Sequence, residues 1–262
     1  MIKLKKRKGR NMYPYFEIFG IKFATYGVCA FVGFLLQWFV FMYAVKKRGG
    51  LVMCAREVQM IGVFGCAVGM KLLYALTRTD LWGKAPLDII FGGSVFYGGL
   101  LGALACGFAV LKIKGINSGI YSDAAAVSIP LFHSFGRIGC FFAGCCYGKE
   151  SSFGFVTENA VISECDGVER FPIQLLCALL LLLLSFFLFI LHRKEVLKDK
   201  LMCVYLCIYS FGRFIIEFFR GDNVRGFVYT LSTSQIISIP IFSITLFILI
   251  KTMFFKKGKR YE

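Results

Sequence analysis

The sequence predicts an all-α, polytopic integral membrane protein of about seven transmembrane helices. Three observations carry that prediction. Of 262 residues, 58% are hydrophobic, against about 45–50% in soluble domains, and the mean hydropathy is +0.70. Thirty residues are Phe, and the apolar runs outlast a buried core helix. Seven runs reach the roughly 20 residues that cross a bilayer core. They cover residues 21–45, 53–76, 87–111, 120–143, 172–191, 201–219 and 229–254. No segment between them is long enough to bury a soluble core of its own.

The connecting segments alternate in charge. Lys46-Lys47-Arg48, Lys112 with Lys114, His192-Arg193-Lys194 with Lys198 and Lys200, and Lys256-Lys257-Gly258-Lys259-Arg260 are basic. The loops at 77–86, 148–171 and 220–228 are mixed or acidic, and 148–171 is an extracytoplasmic loop on this reading. By the positive-inside rule the basic loops and the C-terminus are cytoplasmic, and seven crossings place the N-terminus outside. The basic residues Lys3, Lys5, Lys6, Arg7, Lys8 and Arg10 run against that orientation. Residues 1–11 are therefore set apart as a non-native basic segment, with translation starting at Met12 and one membrane-embedded domain over 12–262. No cleavable signal peptide is expected, because a basic cluster follows the first apolar run. The net charge of +16 sits in short clusters between spans. Topology and anionic membrane lipids account for that arrangement, and nucleic acid is not an expected partner.

Taken in chain order, Met12-Tyr13-Pro14-Tyr15-Phe16 leads directly into the first span, which carries Tyr26-Gly27. In the second and third spans Gly65/Gly69 and Gly98/Gly102 are each four apart, a spacing that lets helix backbones approach closely in a bilayer. The third opens on Gly92-Gly93-Ser94-Val95-Phe96-Tyr97-Gly98-Gly99. Backbone N–H groups bared there could hold an oxyanion or phosphate, with the Tyr97 phenol beside them as a donor. Close packing is the plainer use of the same glycines.

The fourth span ends in Gly136-Arg137-Ile138-Gly139-Cys140-Phe141-Phe142-Ala143-Gly144-Cys145-Cys146-Tyr147-Gly148. A guanidinium there costs roughly 2.5–3.5 kcal/mol on insertion scales and cannot lose its proton. It calls for an anionic partner, and its planar fork of donors suits phosphate, so an anionic lipid headgroup is the first ligand to consider. His133 precedes Arg137 by one turn and shares its face, and Pro130 is placed to kink the helix.

The sixth span carries Tyr209, Arg213, Glu217 and Arg220. On a helix they fall within an arc of about 80°. Glu217 is then in reach of both arginines, and the stripe must face the bundle interior, a wet cavity or the interface. Arg213, further inside, has the better claim to a ligand, while a structural ion-pair ladder with a snorkelling Arg220 is the plain alternative. Eleven cysteines are present. Cys140 and Cys145 on a continuing helix would stand about 140° apart, a poor chelate, and no paired CxxC supports a zinc site. Small packing residues are the expectation, with a disulfide from Cys165 to Cys145 or Cys146 as an alternative. No metal or organic cofactor is expected.

At these motifs the chain resembles bacterial prolipoprotein diacylglyceryl transferases. The resemblance runs from about Tyr13 to Pro240. It rests on the order of Tyr26-Gly27, Gly98-Gly99, Gly136-Arg137 through Gly148, Pro172 and Gln174, Tyr209 with Arg213 to Arg220, and Ser234-Gln235. The family moves diacylglyceryl from phosphatidylglycerol to the lipobox cysteine thiol of a prolipoprotein signal peptide, releasing glycerol phosphate. The resemblance implies the same reaction here, in a bacterial cytoplasmic membrane. It implies catalytic roles for Arg213, Tyr97 and Tyr209. It implies substrate binding by Arg137, Tyr26, Gly98, Gly99, Gly148, Glu217 and Arg220.

The chain also departs from the family pattern. Tyr97 stands where the family has His before the glycine pair. Cys140, Ala143 and Cys145 replace two asparagines and a glutamate, and Leu176-Cys177 replaces Tyr-Glu. A diverged lipid-binding paralogue with another acceptor is the second reading, and a transporter the third.

Overall fold

The computed structural model describes residues 10–77, 96–222, 227–228 and 230–258. Seven helices are described: α1 (Thr25–Lys47), α2 (Val52–Thr77), α3 (Phe96–Ile113), α4 (Ser118–Ala143), α5 (Ile173–Arg193), α6 (Leu201–Ile216) and α7 (Thr233–Gly258). Six are long and apolar enough to cross a membrane, and α3, an apolar helix of 18 residues, begins where the described residues resume. Large apolar side chains such as Phe39, Phe64, Leu183, Phe186 and Phe247 are exposed on the helix surfaces. That suits hydrocarbon, where apolar exposure carries no penalty.

Local signals decide where these helices start. The first span was expected to follow Phe16 directly. Instead β2 (Tyr15–Ile18) and β3 (Ile21–Ala24) form an antiparallel hairpin. Phe19 and Gly20 at its tip have φ of 52° and 78°, the two positive values a type I′ hairpin turn requires. At the other end of the chain, β6 (Phe227–Val228) pairs with β7 (Leu231–Ser232), and α7 begins straight after. Its start is a capping box. The Gln235 N–H donates to Ser232 Oγ at 3.2 Å and the Ser232 N–H to Gln235 Oε1 at 3.0 Å, so two orphan donors are satisfied reciprocally.

The chain forms two compact units, residues 41–124 and residues 1–40 with 125–262. In the first, α2 and α3 meet through their glycines. A Cβ on Gly65 would lie 2.5 Å from the Gly102 carbonyl oxygen, and one on Gly98 would lie 2.6 Å from Leu73 Cβ. The small-residue spacing read from the sequence is thus spent on backbone approach. Larger side chains have no room, so Gly102→Leu is expected to cost about 1–3 kcal/mol by overpacking. A drop in melting temperature of the detergent-solubilised protein checks this. At one end of this unit Arg48 forms a buried ion pair with Asp123, and the Leu51 N–H donates to Tyr121 Oη at 3.1 Å.

In the second unit, α4, α5 and α6 share a core of Val127, Leu184, Leu188, Leu201, Val204 and Tyr205. Ser185 Oγ donates to the Val127 carbonyl at 2.7 Å. α4 runs unbroken through Pro130. α1 lies close to α4, since a Cβ on Gly139 would stand 3.1 Å from Tyr26 Cα.

The segment after α4, expected as a loop, contains β4 (Glu150–Glu158) and β5 (Glu169–Arg170), joined by β1 (Arg10–Asn11) in a three-stranded sheet. Phe153, Phe155, Val156 and Thr157 supply the strand preference. β1 pairs Arg10 with Thr157 and Asn11 with Glu158, so the last two residues of the basic N-terminal segment take part in the fold.

Candidate active site

A cavity of about 290 Å³ lies among α4, α5 and α6. α4 supplies His133 and Arg137, one turn apart as their spacing requires, and α6 supplies Tyr209 and Arg213. α5 supplies Cys177 and the apolar wall of Leu180, Leu181 and Leu184. The His133 and Tyr209 rings stand 5.6 Å apart, and Tyr209 stacks on Tyr205 at 5.7 Å. One face of the cavity is therefore cationic and aromatic and the other is hydrocarbon-like. Among the described residues no carboxylate lies within ion-pair distance of Arg137.

Arg213 is held differently. Its Nη2 donates to Ser234 Oγ at 2.9 Å and pairs with Glu217 Oε2 at 3.0 Å. The i,i+4 pairing of Arg213 and Glu217 follows the sequence expectation. The rest of the expected ladder does not. α6 ends at Ile216, residues 217–219 tighten into a 3₁₀ turn, and Arg220 is extended with φ −84° and ψ 141°. Its Nε and Nη2 donate to both oxygens of Asp222, at 3.1 and 2.8 Å. Arg220 and Asp222 are both buried, so Arg220 does not snorkel.

Removing one partner of a buried ion pair leaves an uncompensated charge, at a cost of about 3–5 kcal/mol. Asp222→Ala is therefore expected to lower the melting temperature sharply, with Asp222→Asn less severe. The better claim to a free ligand passes from Arg213 to Arg137.

Beyond α4 the chain turns back on itself. Gly144 has φ +69°, its N–H donates to the Phe141 carbonyl at 3.1 Å, and the Cys145 N–H donates to the Cys140 carbonyl at 3.1 Å. This is a Schellman cap, in which the residue after the left-handed glycine returns over the last turn. Cys146 follows with φ +54°. The three sulfur atoms of Cys140, Cys145 and Cys146 consequently lie within 4.8 Å of one another. A helix extrapolated past Ala143 separates Cys140 from Cys145, so the expected divergence is corrected by the αL turn.

The returning strand is pinned from several sides. Gln174 Nε2 donates to the Cys145 carbonyl at 2.9 Å. Gly148 bridges to Arg220, and a Cβ on Gly221 would lie 2.5 Å from the Gly148 oxygen. Tyr147 Oη donates to Glu164 Oε2 at 3.0 Å, and the Arg170 guanidinium sits 4.5 Å over the Tyr147 ring. Burial, then the Glu164 carboxylate, raises the Tyr147 phenol above its ordinary range. Cys165 is a free thiol whose Sγ donates to the Gly144 carbonyl at 3.4 Å. It is not bonded to Cys145 or Cys146, and burial pushes it up to about 11.

Arg137, Tyr209 and Arg213 thus share one cavity. Glu217 braces Arg213, and Arg220 with Gly148 closes the neighbouring turn. Tyr26 lies along α4 at Gly139. Gly98 and Gly99 belong to the other unit, where Gly99 faces Met70 and Cys66 of α2. Gly92 to Val95 and the Tyr97 side chain lie outside the described residues. Asp222 was missed by the sequence reading, although it follows Arg220 after a single glycine. The bracing roles of Gln174 and Ser234 were missed because they depend on distant segments.

The fold and cavity define a multi-pass membrane protein with a cationic site between helices, walled by apolar side chains. The family model for prolipoprotein diacylglyceryl transferase matches residues 14–251, and the chain belongs to that family. It is 33% identical to a phosphatidylglycerol–prolipoprotein diacylglyceryl transferase of Clostridium tetani (strain Massachusetts / E88) over 237 residues, 89% of this chain and 94% of that protein. It is 36% identical to the transferase numbered 2 of Clostridium perfringens (strain 13 / Type A) over 229 residues, 85% and 88% of the two chains. It is 30% identical to the transferase of Campylobacter lari (strain RM2100 / D67 / ATCC BAA-1060) over 251 residues, 89% and 90%.

Proposed function

We propose that the chain transfers diacylglyceryl from phosphatidylglycerol to the lipobox cysteine thiol of a prolipoprotein signal peptide. The observation that carries this is the cavity joining Arg137 and Arg213 to the apolar wall of α5. That pairing matches a lipid, with phosphate at the guanidiniums and acyl chains along the leucines. The acceptor sulfur forms a bond to the glycerol carbon. The carbon–oxygen bond to phosphate breaks, and glycerol phosphate leaves with the electron pair.

Arg137, with no carboxylate among the described residues, takes the charge growing on the leaving phosphate. Arg213, fixed by Glu217 and Ser234, orients a second oxygen. Tyr209 positions the headgroup beside His133, and the thiol proton leaves with the glycerol phosphate. The family resemblance assigns substrate binding to Tyr26, Gly98, Gly99 and Gly148 and a catalytic role to Tyr97. The thiol-for-amide and thiol-for-carboxylate replacements at Cys140 and Cys145 leave the two cavity arginines in place.

Pairing of β1 with β4 supports an N-terminus on the same side as residues 150–170. The basic connections at 46–48, 112–114 and 192–200 favour the opposite, cytoplasmic side. The protein then resides in a bacterial cytoplasmic membrane with its C-terminus inside.

The test is an assay of purified protein with labelled phosphatidylglycerol and a lipobox peptide, read by mass. A diacylglyceryl mass shift on the peptide cysteine is expected. Lipid binding without transfer, beside a competent relative, would overturn the reaction and favour another acceptor.

A further inference from the structure

We propose that Cys140, Cys145 and Cys146 form a binding site for one soft divalent cation of the zinc class. Three observations converge. The three sulfur atoms lie within 4.8 Å of one another. Zinc–thiolate bonds of about 2.3 Å place sulfur pairs roughly 3.8 Å apart in a tetrahedral site, so the thiols need close by no more than about 1 Å. Cys145 and Cys146 sit on the turn after the helix, where side-chain rotation suffices.

The backbone is built to bring them together. The Schellman cap folds Cys145 over Cys140, and Gln174 clamps the Cys145 carbonyl at 2.9 Å. Cys146 is held at φ +54°, a conformation uncommon for any side chain other than Gly, Asn or Asp. Packing alone needs neither the return nor the convergence.

Protons are accounted for. Each thiol that binds releases its proton to solvent, and three thiolates with one divalent cation carry a net charge of −1. Arg137 stands three residues before Cys140 on the same side of α4, so this anionic cluster forms beside a guanidinium that also borders the cavity. Thiolate ligands favour zinc-class ions over magnesium or calcium. Three protein ligands leave a fourth position for water.

The experiment titrates the reduced, full-length protein in detergent with Co²⁺ and Cd²⁺ as optical probes, with Zn²⁺ competing. One equivalent with thiolate-to-metal absorption is expected, displaced by Zn²⁺. The variant carrying Cys140→Ser, Cys145→Ser and Cys146→Ser is expected to lose it. Cys146→Ser alone, outside the helix, is expected to weaken it by at least about tenfold. Cys54→Ser and Cys207→Ser, which change buried thiols elsewhere, retain it. No one-equivalent uptake by the wild type, or unchanged affinity in Cys146→Ser, overturns the proposal.

Discussion

Arg137→Ala is expected to lower kcat/KM for diacylglyceryl transfer by about 10²–10³, the loss seen when one preorganised donor to a developing anion is removed. The position has a specific reason to be severe. Arg213 keeps Glu217 and Ser234 whether or not lipid is bound, and Arg220 keeps both oxygens of Asp222. Their charges are already partly answered by the protein. Arg137 borders the same cavity without a carboxylate among the described residues, so its field is the one a phosphate completes. A loss confined to kcat would place its action on the leaving group, and a rise in KM alone would place it in ground-state binding. Arg137→Lys keeps the charge but not the planar fork, and is expected to recover only part of the rate. Turnover equal to wild type in Arg137→Ala would remove the basis of the proposed mechanism.

Gly144→Ala is expected to be among the most damaging single changes to stability, although glycine carries no chemical group. Two costs coincide there. At φ +69° any L side chain meets the left-handed penalty of about 1–2 kcal/mol. The new Cβ would also overlap the Cβ of Ala160, adding about 1–3 kcal/mol of overpacking. Gly167 separates the two terms, because it has φ +76° with nothing within 4 Å of an added Cβ. Gly167→Ala therefore bears the backbone cost alone. Thermal unfolding of the two variants side by side is expected to show Gly144→Ala melting well below Gly167→Ala. Equal melting temperatures would mean the α4 cap accommodates the methyl group. Transfer activity is expected to fall in Gly144→Ala as well, since the cap sets the turn that leads to Gly148 and Arg220.

The legible part of the fold was that governed by short-range periodicity. Hydropathy located every described helix, and spacing of four marked Gly65/Gly69 and Gly98/Gly102 as close-packing positions and set Arg213 beside Glu217. His133 and Arg137 share a cavity for the same reason. The reading failed where a helix stopped. The stripe from Tyr209 to Arg220 assumed a helix through Arg220, but α6 ends at Ile216 and Arg220 turns to Asp222. The divergence of Cys140 and Cys145 assumed a helix beyond Ala143, but Gly144 reverses the chain. The Phe19-Gly20 turn, just before the first apolar run, lacked a usual turn dipeptide such as Asn-Gly, since a phenylalanine takes the first positive φ.

The sequence by itself determined that this protein crosses a membrane many times, that it keeps two arginines within its apolar spans, and that its family is the diacylglyceryl transferases. Each follows from local composition or from motif order along the chain. Only the tertiary structure decided which cations are already neutralised, which face the cavity, and that three thiols converge at the end of α4. Those outcomes depend on helix ends and on partners from distant segments, such as Ser234 for Arg213 and Gln174 for Cys145. A helix end is set by a few backbone angles, and hydropathy, which reports burial, carries almost no record of them.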